Sequence, residues 1–357
     1  MNRYRLVHVT EFQYDGVVSE SYNELHLRPR QDETQSCLSF RLSTEPAASM
    51  SHHVDYFGNW VHRFNVSGQH RHLHIEADSV VLVHQPTALS EQSFTLADLD
   101  AMADELDVYY DLLATSQYAP HVELLKDLVK DAEGRSGGTV AGFVRAATDV
   151  VHGSFRYERG ATHVHSSILD SLASGAGVCQ DFAHILLAVT RMRGIPARYV
   201  SGYLVPRRAA EAGSNFEEVI GGQASHAWIE VYVPGAGWVG TDPTLGQQVS
   251  VQHVRVAYGR DYGDVPPVRG TYKGHAGQQL SVDVRVRPAL DDEGTEHLER
   301  TAATAATTAM IQDFAAVWRN SRIRSLRWCF LFWRFPWRAL SPFLADMLPQ
   351  AYQVRTL

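Results

Sequence analysis

The sequence predicts an α+β fold in which a small all-β domain precedes a core of helix and sheet. Three observations predict it. Residues 1 to about 90 hold short alternating apolar segments between turn signals, and from about Ala97 the apolar period changes to three and four residues. One strongly apolar helix, Val178–Arg193, is then followed by strand-like segments.

The alternation at Tyr4-Leu6-His8 and Leu38-Phe40-Leu42 places every second side chain on one face, as a half-buried strand requires. Asp15-Gly16, Pro29-Arg30 and Gly58-Asn59 read as the turns between strands, so residues 1–90 form a sandwich-like β domain. Residues 91–153 are a helical connector. Leu96, Leu99, Met102, Leu106 and Tyr109 recur at helical steps, as do Val122, Leu125, Leu128 and Val129, and Phe143–His152 continues the pattern after the glycine-rich turn 133–138.

Residues 154–288 form the core. Gly175-Ala176-Gly177 breaks the chain, the helix follows, and Gly194-Ile195-Pro196 stops it. Arg198–Leu204 and His226–Val233 alternate like strands on either side of a polar loop, Pro206–Gly222, which holds Glu217 and Glu218. The remainder, 289–357, is an atypical extension. It has a low-complexity stretch, Thr301–Ala309, and between Trp318 and Arg338 six arginines and no acid.

Composition narrows the function classes. At 357 residues the chain exceeds one ordinary core, and 45% apolar with 20% charged residues is globular. The 32 basic and 40 acidic residues leave a net charge of -8, which argues against a nucleic-acid partner. Three cysteines, Cys37, Cys179 and Cys329, build no disulfide scaffold, and no CxxC pair points to zinc. No apolar run approaches the roughly 18 residues of a membrane span, and no secretory h-region is visible, so the expected location is cytoplasmic. Thiols stay reduced there.

Cys179 stands where Gly-Ala-Gly feeds into the helix. A helix N-terminus carries partial positive charge and unpaired N–H groups, which favour thiolate and can hold an oxyanion. A lone cysteine is more often a small buried hydrophobe; its company decides. His226 begins a strand with Trp228 and Glu230 on its face, and Asp242 follows sixteen residues later, after a Pro-Gly-Ala-Gly turn. If the two strands pair, the acid can lie beside the imidazole and fix its tautomer. Asp181 reads as a first-turn acid that supports the helix.

These residues resemble a known family. Gly177-Val178-Cys179-Gln180-Asp181-Phe182-Ala183-His184, then Gly194-Ile195-Pro196-Ala197-Arg198, His226-Ala227-Trp228, Trp238 and Asp242-Pro243-Thr244 are similar to the transglutaminase-like superfamily of papain-like thiol enzymes. Tyr4-Arg5-Leu6-Val7-His8, Ser19–Arg30 and Asp55-Tyr56-Phe57-Gly58-Asn59 resemble the β domain that precedes that core in bacterial members. The resemblance spans about residues 1–285. It implies a papain-like transglutaminase core with Cys179 as nucleophile, His226 as base and then acid, and Asp242 as orienting carboxylate. It also implies a second oxyanion donor upstream of the cysteine. In the family that donor is often an indole or amide; no tryptophan lies between Trp60 and Trp228, so it is not the indole here, and Tyr157 is a candidate on position only.

The expected function is thiol-dependent acyl transfer on a protein or peptide substrate, as a cysteine protease or amidase slightly ahead of a crosslinking transglutaminase. The alternative is a catalytically silent binding or scaffold module with the same fold. Acetyl transfer from a thioester donor ranks below both. No cofactor and no metal is expected, and no acidic cluster resembles the calcium sites of animal transglutaminases. His70, His72 and His74 share a strand face with His62 nearby, but side chains two apart on one strand are roughly 6–7 Å apart and need outside help to flank an ion. His163 and His165 read as cleft-wall or loop residues, and His184 as a packed helix residue. Trp228 and Tyr203 are candidates for the substrate cleft, with core packing the competing reading. For the arginine- and tryptophan-rich tail, peripheral contact with a membrane surface ranks behind simple packing on the domain.

Overall fold

The computed structural model describes residues 2–89, 94–205 and 225–289. The polar loop with Glu217 and Glu218, and the extension with its tryptophans and Cys329, lie outside these residues. The N-terminal strands are β1 (Asn2–Val18), β2 (Glu20–Leu25), β3 (Gln35–Glu45), β4 (Met50–Val54), β5 (Trp60–Val66) and β6 (His70–Val83). Helices α1 (Leu96–Ala101), α2 (Ala103–Leu106), α3 (Tyr110–Leu113), α4 (Lys126–Arg135) and α5 (Val140–Ser154) follow. Next come β7 (Arg156–Tyr157), α6 (Ile168–Ser174), β8 (Ala176–Gly177) and the central helix α7 (Cys179–Met192). The chain continues through β9 (Ala197–Leu204), β10 (Ser225–Val233), β11 (Gly237–Asp242), β12 (Gln247–Gln248), β13 (His253–Gly259), β14 (Val268–Lys273) and β15 (Gln278–Pro288).

The first domain is a sandwich of two four-stranded sheets, ordered β15-β1-β6-β3 and β14-β2-β5-β4. Period-two alternation turns Phe12, Tyr14, Leu73 and Ile75 of one sheet toward Leu25, Phe64 and Val66 of the other. β14 and β15, which the sequence placed at the end of the core, supply an edge strand to each sheet. β15 pairs with β1 from Tyr4↔Pro288 to Tyr14↔Gln278. Asp15-Gly16 is not a turn. β1 runs through it, and the register against β6 shifts between Gln13 and Val18, so the dipeptide makes a bulge.

The core sheet is ordered β12-β11-β10-β9-β13, and α7 lies across β9 and β10. Buried residues run almost unbroken along α7, because Phe182, Ile185, Leu186 and Val189 meet Val144 of α5 and Ile229 and Val231 of β10 in one apolar cluster. Gly194, at φ +82°, ends the helix in the left-handed conformation, and the Ile195 N–H returns to Thr190 O at 3.0 Å.

Sandwich and core meet through Tyr4, Leu6 and Val81 on one side and Tyr203, Val254 and Val256 on the other. Two side-chain amides complete the join. Gln35 accepts from Arg255 N and donates to Arg255 O, both at 2.8 Å. Asn59 does the same for Tyr258 N at 2.8 Å and Tyr258 O at 2.7 Å. Each amide stands in for a neighbouring strand along the edge of β13.

Candidate active site

Parallel pairing of β7 with β8 delivers the chain to α7, whose first residue is Cys179. Asp181 accepts from Val178 N at 2.8 Å and from Thr162 Oγ1 at 2.5 Å, which holds the entry to the helix. Burial raises the Asp181 pKa against those hydrogen bonds. Gly177 has no room for a side chain: a Cβ would stand 2.9 Å from the Asp181 carboxyl oxygen. Asp181 N–H and Phe182 N–H both turn to Val178 O, while the N–H of Cys179 at the first helical position has no acceptor within the helix by construction.

His226, the second residue of β10, lies opposite Gly202 of β9, and Asp242 ends β11. The hairpin pairs Ile229 with Thr241, so Asp242 falls on the face shared by Trp228 and His226. His226 Nε2 lies 2.7 Å from Asp242 Oδ2, and Cys179 shares its cavity wall closely enough to raise the imidazole pKa. Since Nε2 is committed to the carboxylate, Nδ1 is the nitrogen left free for the thiol. The structure thus joins Cys179, His226 and Asp242, the three residues picked out in the sequence.

His253 is a fourth member that the sequence did not mark. Its Nδ1 accepts from Ser250 N at 3.1 Å, which places the proton on Nε2, 3.1 Å from the same Asp242 Oδ2. Asp242 Oδ1 accepts from Thr244 N at 2.9 Å and Leu245 N at 3.2 Å. The carboxylate is fully buried and accepts four N–H bonds. Burial raises its pKa, but His226 and the other donors outweigh that and hold it well below the ordinary carboxylate range. Burial also works against charge on His226, yet Asp242 and Cys179 together push its pKa up to about 10. His253 moves the other way, lowered chiefly by burial, so it serves as a neutral donor. His226, Asp242 and His253 stand within ligand distance of one another, but their facing atoms are already engaged with one another.

Cys179 and His226 open onto a cavity of about 590 Å³ between core and sandwich. The sandwich contributes His8, Thr10, Phe12 and Asn23 to its wall, and β14 contributes Arg269. The cleft aromatics fall elsewhere. Trp228 is fully buried and packs edge-on against His253 with ring centroids 5.1 Å apart. Gly202 makes room for it, since a Cβ there would stand 2.5 Å from the indole. Tyr203 is buried with its hydroxyl 2.8 Å from His8 Nδ1, and burial lowers the pKa of His8 to about 4. Tyr157 is 40% exposed on β7. Burial first, and the neighbouring Cys179 second, raise its pKa. Tyr199 does line the cavity wall, and burial, Cys179 and further neighbours raise its pKa well above the ordinary phenol value.

Of the other histidines, His165 lines the cavity and faces the Tyr118 hydroxyl at 3.4 Å. His184 is fully buried between Tyr118 and Tyr199, and burial, then Arg191, lower its pKa to about 3. His62 is not beside His72. It lies on β5 in the opposite sheet, next to His52.

Residues 4–82 match the bacterial transglutaminase-like N-terminal region, and residues 127–243 match the transglutaminase-like superfamily. An uncharacterized protein of Mycobacterium leprae is 36% identical over 290 residues, which cover 80% of this chain and 99% of that one. The chain belongs to the transglutaminase-like superfamily. An uncharacterized Mycobacterium tuberculosis protein is 34% identical over 82% of this chain and 94% of its own length. Among solved structures, a "putative cysteine protease" of Cytophaga hutchinsonii superposes with a TM-score of 0.61 at 23% identity, covering 82% of this chain and 92% of that chain, so the two share the transglutaminase-like fold. No helix among the described residues is long and apolar enough to cross a membrane.

Proposed function

We propose that this transglutaminase-like protein is a thiol-dependent acyl-transfer enzyme acting on peptide or amide carbonyls, with hydrolysis ahead of crosslinking. One observation carries the reading: Cys179 and His226 line the same cavity, and His226 lies 2.7 Å from the buried Asp242. His226 takes the thiol proton and Cys179 Sγ attacks the carbonyl carbon. The oxygen becomes an oxyanion beside the Cys179 N–H. The imidazolium then protonates the leaving amine as the C–N bond breaks, which leaves a thioester and neutral His226. A water or amine attacks next, gives its proton to His226, and Cys179 leaves as thiolate to recover that proton.

We assign the second oxyanion donor to Tyr199. It lines the cavity, and its surroundings keep the phenol protonated, so its O–H remains a donor. The proposed setting is the reducing cytoplasm, where Cys179 stays a thiol.

The test is mass spectrometry of the full chain incubated with a peptide library and a primary amine, beside Cys179→Ala. Shortened peptides that vanish with Cys179→Ala support hydrolysis, and amine incorporation with loss of ammonia supports crosslinking. Neither product, together with iodoacetamide labelling that persists unchanged in Cys179→Ala, would overturn the reading in favour of a binding module.

A further inference from the structure

Away from the catalytic cleft, the outer face of the β1–β6 ladder gathers a second set of ligating side chains. His72 and His74 project from the same face of β6, two residues apart, with ring centroids 6.3 Å from each other. Two such histidines alone cannot close on an ion. The neighbouring strand supplies what is missing: Glu11 of β1 registers directly with His74, and its Oε1 lies 3.2 Å from His74 Nδ1. One ligand atom from each of Glu11, His72 and His74 lies within 4.8 Å of the other two.

We infer that Glu11, His72 and His74 form a binding site for a divalent first-row transition metal, with zinc the ion that suits it best. Two imidazoles and one carboxylate are donors of borderline character, which favours zinc, cobalt or nickel over calcium or magnesium. Ligands on a tetrahedral zinc stand about 3.4 Å apart, given bonds of roughly 2.0–2.1 Å. The Glu11–His74 pair already has that spacing. His72 needs a movement of about an ångström, within reach of a half-buried side chain that keeps a staggered rotamer.

The surroundings fit a cation. Glu45 of β3 registers with His74 from the other side, which brings a second carboxylate within one strand spacing, and Glu76 follows on the same face of β6. A fourth position remains for water or for Glu45. The site would tie β1 to β6 across three ligands. Thr10 and Phe12, which flank Glu11 in β1, line the catalytic cavity on the opposite face of the strand. An ion here would therefore brace the cavity wall without touching the reaction. The inference does not depend on the acyl-transfer reading.

The experiment titrates the full chain with zinc chloride by calorimetry, and with cobalt chloride by visible absorption, in the Cys179→Ala background so that the thiolate cannot compete. The background protein is expected to take up one zinc equivalent that is missing when His72→Gln and His74→Gln are added. Its cobalt complex should show a d–d band that the added substitutions abolish. Zinc should raise Tm in the background by several degrees and leave the substituted chain unmoved. If the double substitution fails to fold, Glu11→Gln, which keeps shape but removes the anionic ligand, is expected to weaken zinc at least tenfold. Equal zinc stoichiometry with and without these substitutions, or no zinc uptake by the background protein, overturns the site.

Discussion

His253 and His226 share one oxygen of Asp242: both Nε2 atoms reach Oδ2, at 3.1 and 2.7 Å. A carboxylate held by one imidazole can still rotate. Held also by His253, and by Thr244 N and Leu245 N on Oδ1, it has one orientation, and so has His226. His253 is thus a positioning residue. Replacing it by Phe should lower turnover about tenfold, while Gln, which retains an N–H donor, should restore part of the loss. The fall should appear in kcat with KM nearly unchanged. A loss confined to KM, or equal losses for Phe and Gln, would contradict the role.

The electrostatics give a pH window. His226 is raised from 6.5 to about 10, so its share of the stability is complete below pH 6.5 and fades as pH rises through about 10. Asp242 is depressed, so its share is complete above its ordinary value of 3.8 and fades as pH falls through the lowered one. The Tm difference between the wild type and Asp242→Asn should therefore be largest between about pH 4 and 6.5 and shrink as the pH rises toward 10. Turnover needs the His226 proton for the leaving amine, and its alkaline limb should lie near pH 10. In any residual activity of Asp242→Asn, burial of His226 is opposed by Cys179 alone and the limb should move down by at least about one unit. An alkaline limb at the same pH in both proteins would refute the coupling.

Much of this site is legible in the sequence because its signals are local. A helix buried on most faces leaves a long apolar run, and glycine and proline bound it, so α7 and the place of Cys179 within it can be read directly. The turn at Pro234–Gly237 fixes the β10–β11 hairpin and hence the approach of Asp242 to His226. What is not legible is non-local. The return of β15 to pair Pro288 with Tyr4 leaves no mark in either segment. Alternation tells which face Trp228 and Tyr203 occupy, but not that other elements cover that face, and both prove buried. His253 escapes notice because its value comes from Asp242 on another strand and from the Ser250 N–H that sets its tautomer.

Tyr199 and Tyr157 offer a sharp contrast. Both feel Cys179, yet Tyr199 lines the cavity and Tyr157 is 40% exposed on β7. If Tyr199 donates to the oxyanion, Tyr199→Phe should cost about a hundredfold in kcat, since removal of one such donor typically costs that much, with KM little changed. Tyr157→Phe should stay within about threefold of the wild type. Single-turnover measurement of acyl-enzyme formation decides between them, and the reverse order of effects would move the donor to Tyr157.

Glu230 joins the two arginines at the back of the sheet. Its Oε1 accepts from Arg255 Nε at 2.7 Å and its Oε2 from Arg198 Nη2 at 2.6 Å, with the Glu230 side chain 3% exposed. Tyr258 lies between cations, with Arg198 at 3.7 Å and Arg30 at 4.0 Å from its ring centre, so loss of the anion would leave positive charge concentrated where water is scarce. Glu230→Gln keeps the shape and removes the charge, and it should destabilise the protein by about 3 kcal/mol, the cost of breaking a buried pair from one side. Asp131→Asn removes one member of the exposed Asp131–Arg135 pair, 2.6 Å apart, and should cost less than about 1 kcal/mol because solvent screens both groups. Urea denaturation of the two variants against the wild type measures the difference. A Glu230→Gln loss no greater than that of Asp131→Asn would mean that Arg198 and Arg255 find other partners, and that the network does not hold the sheet against the sandwich.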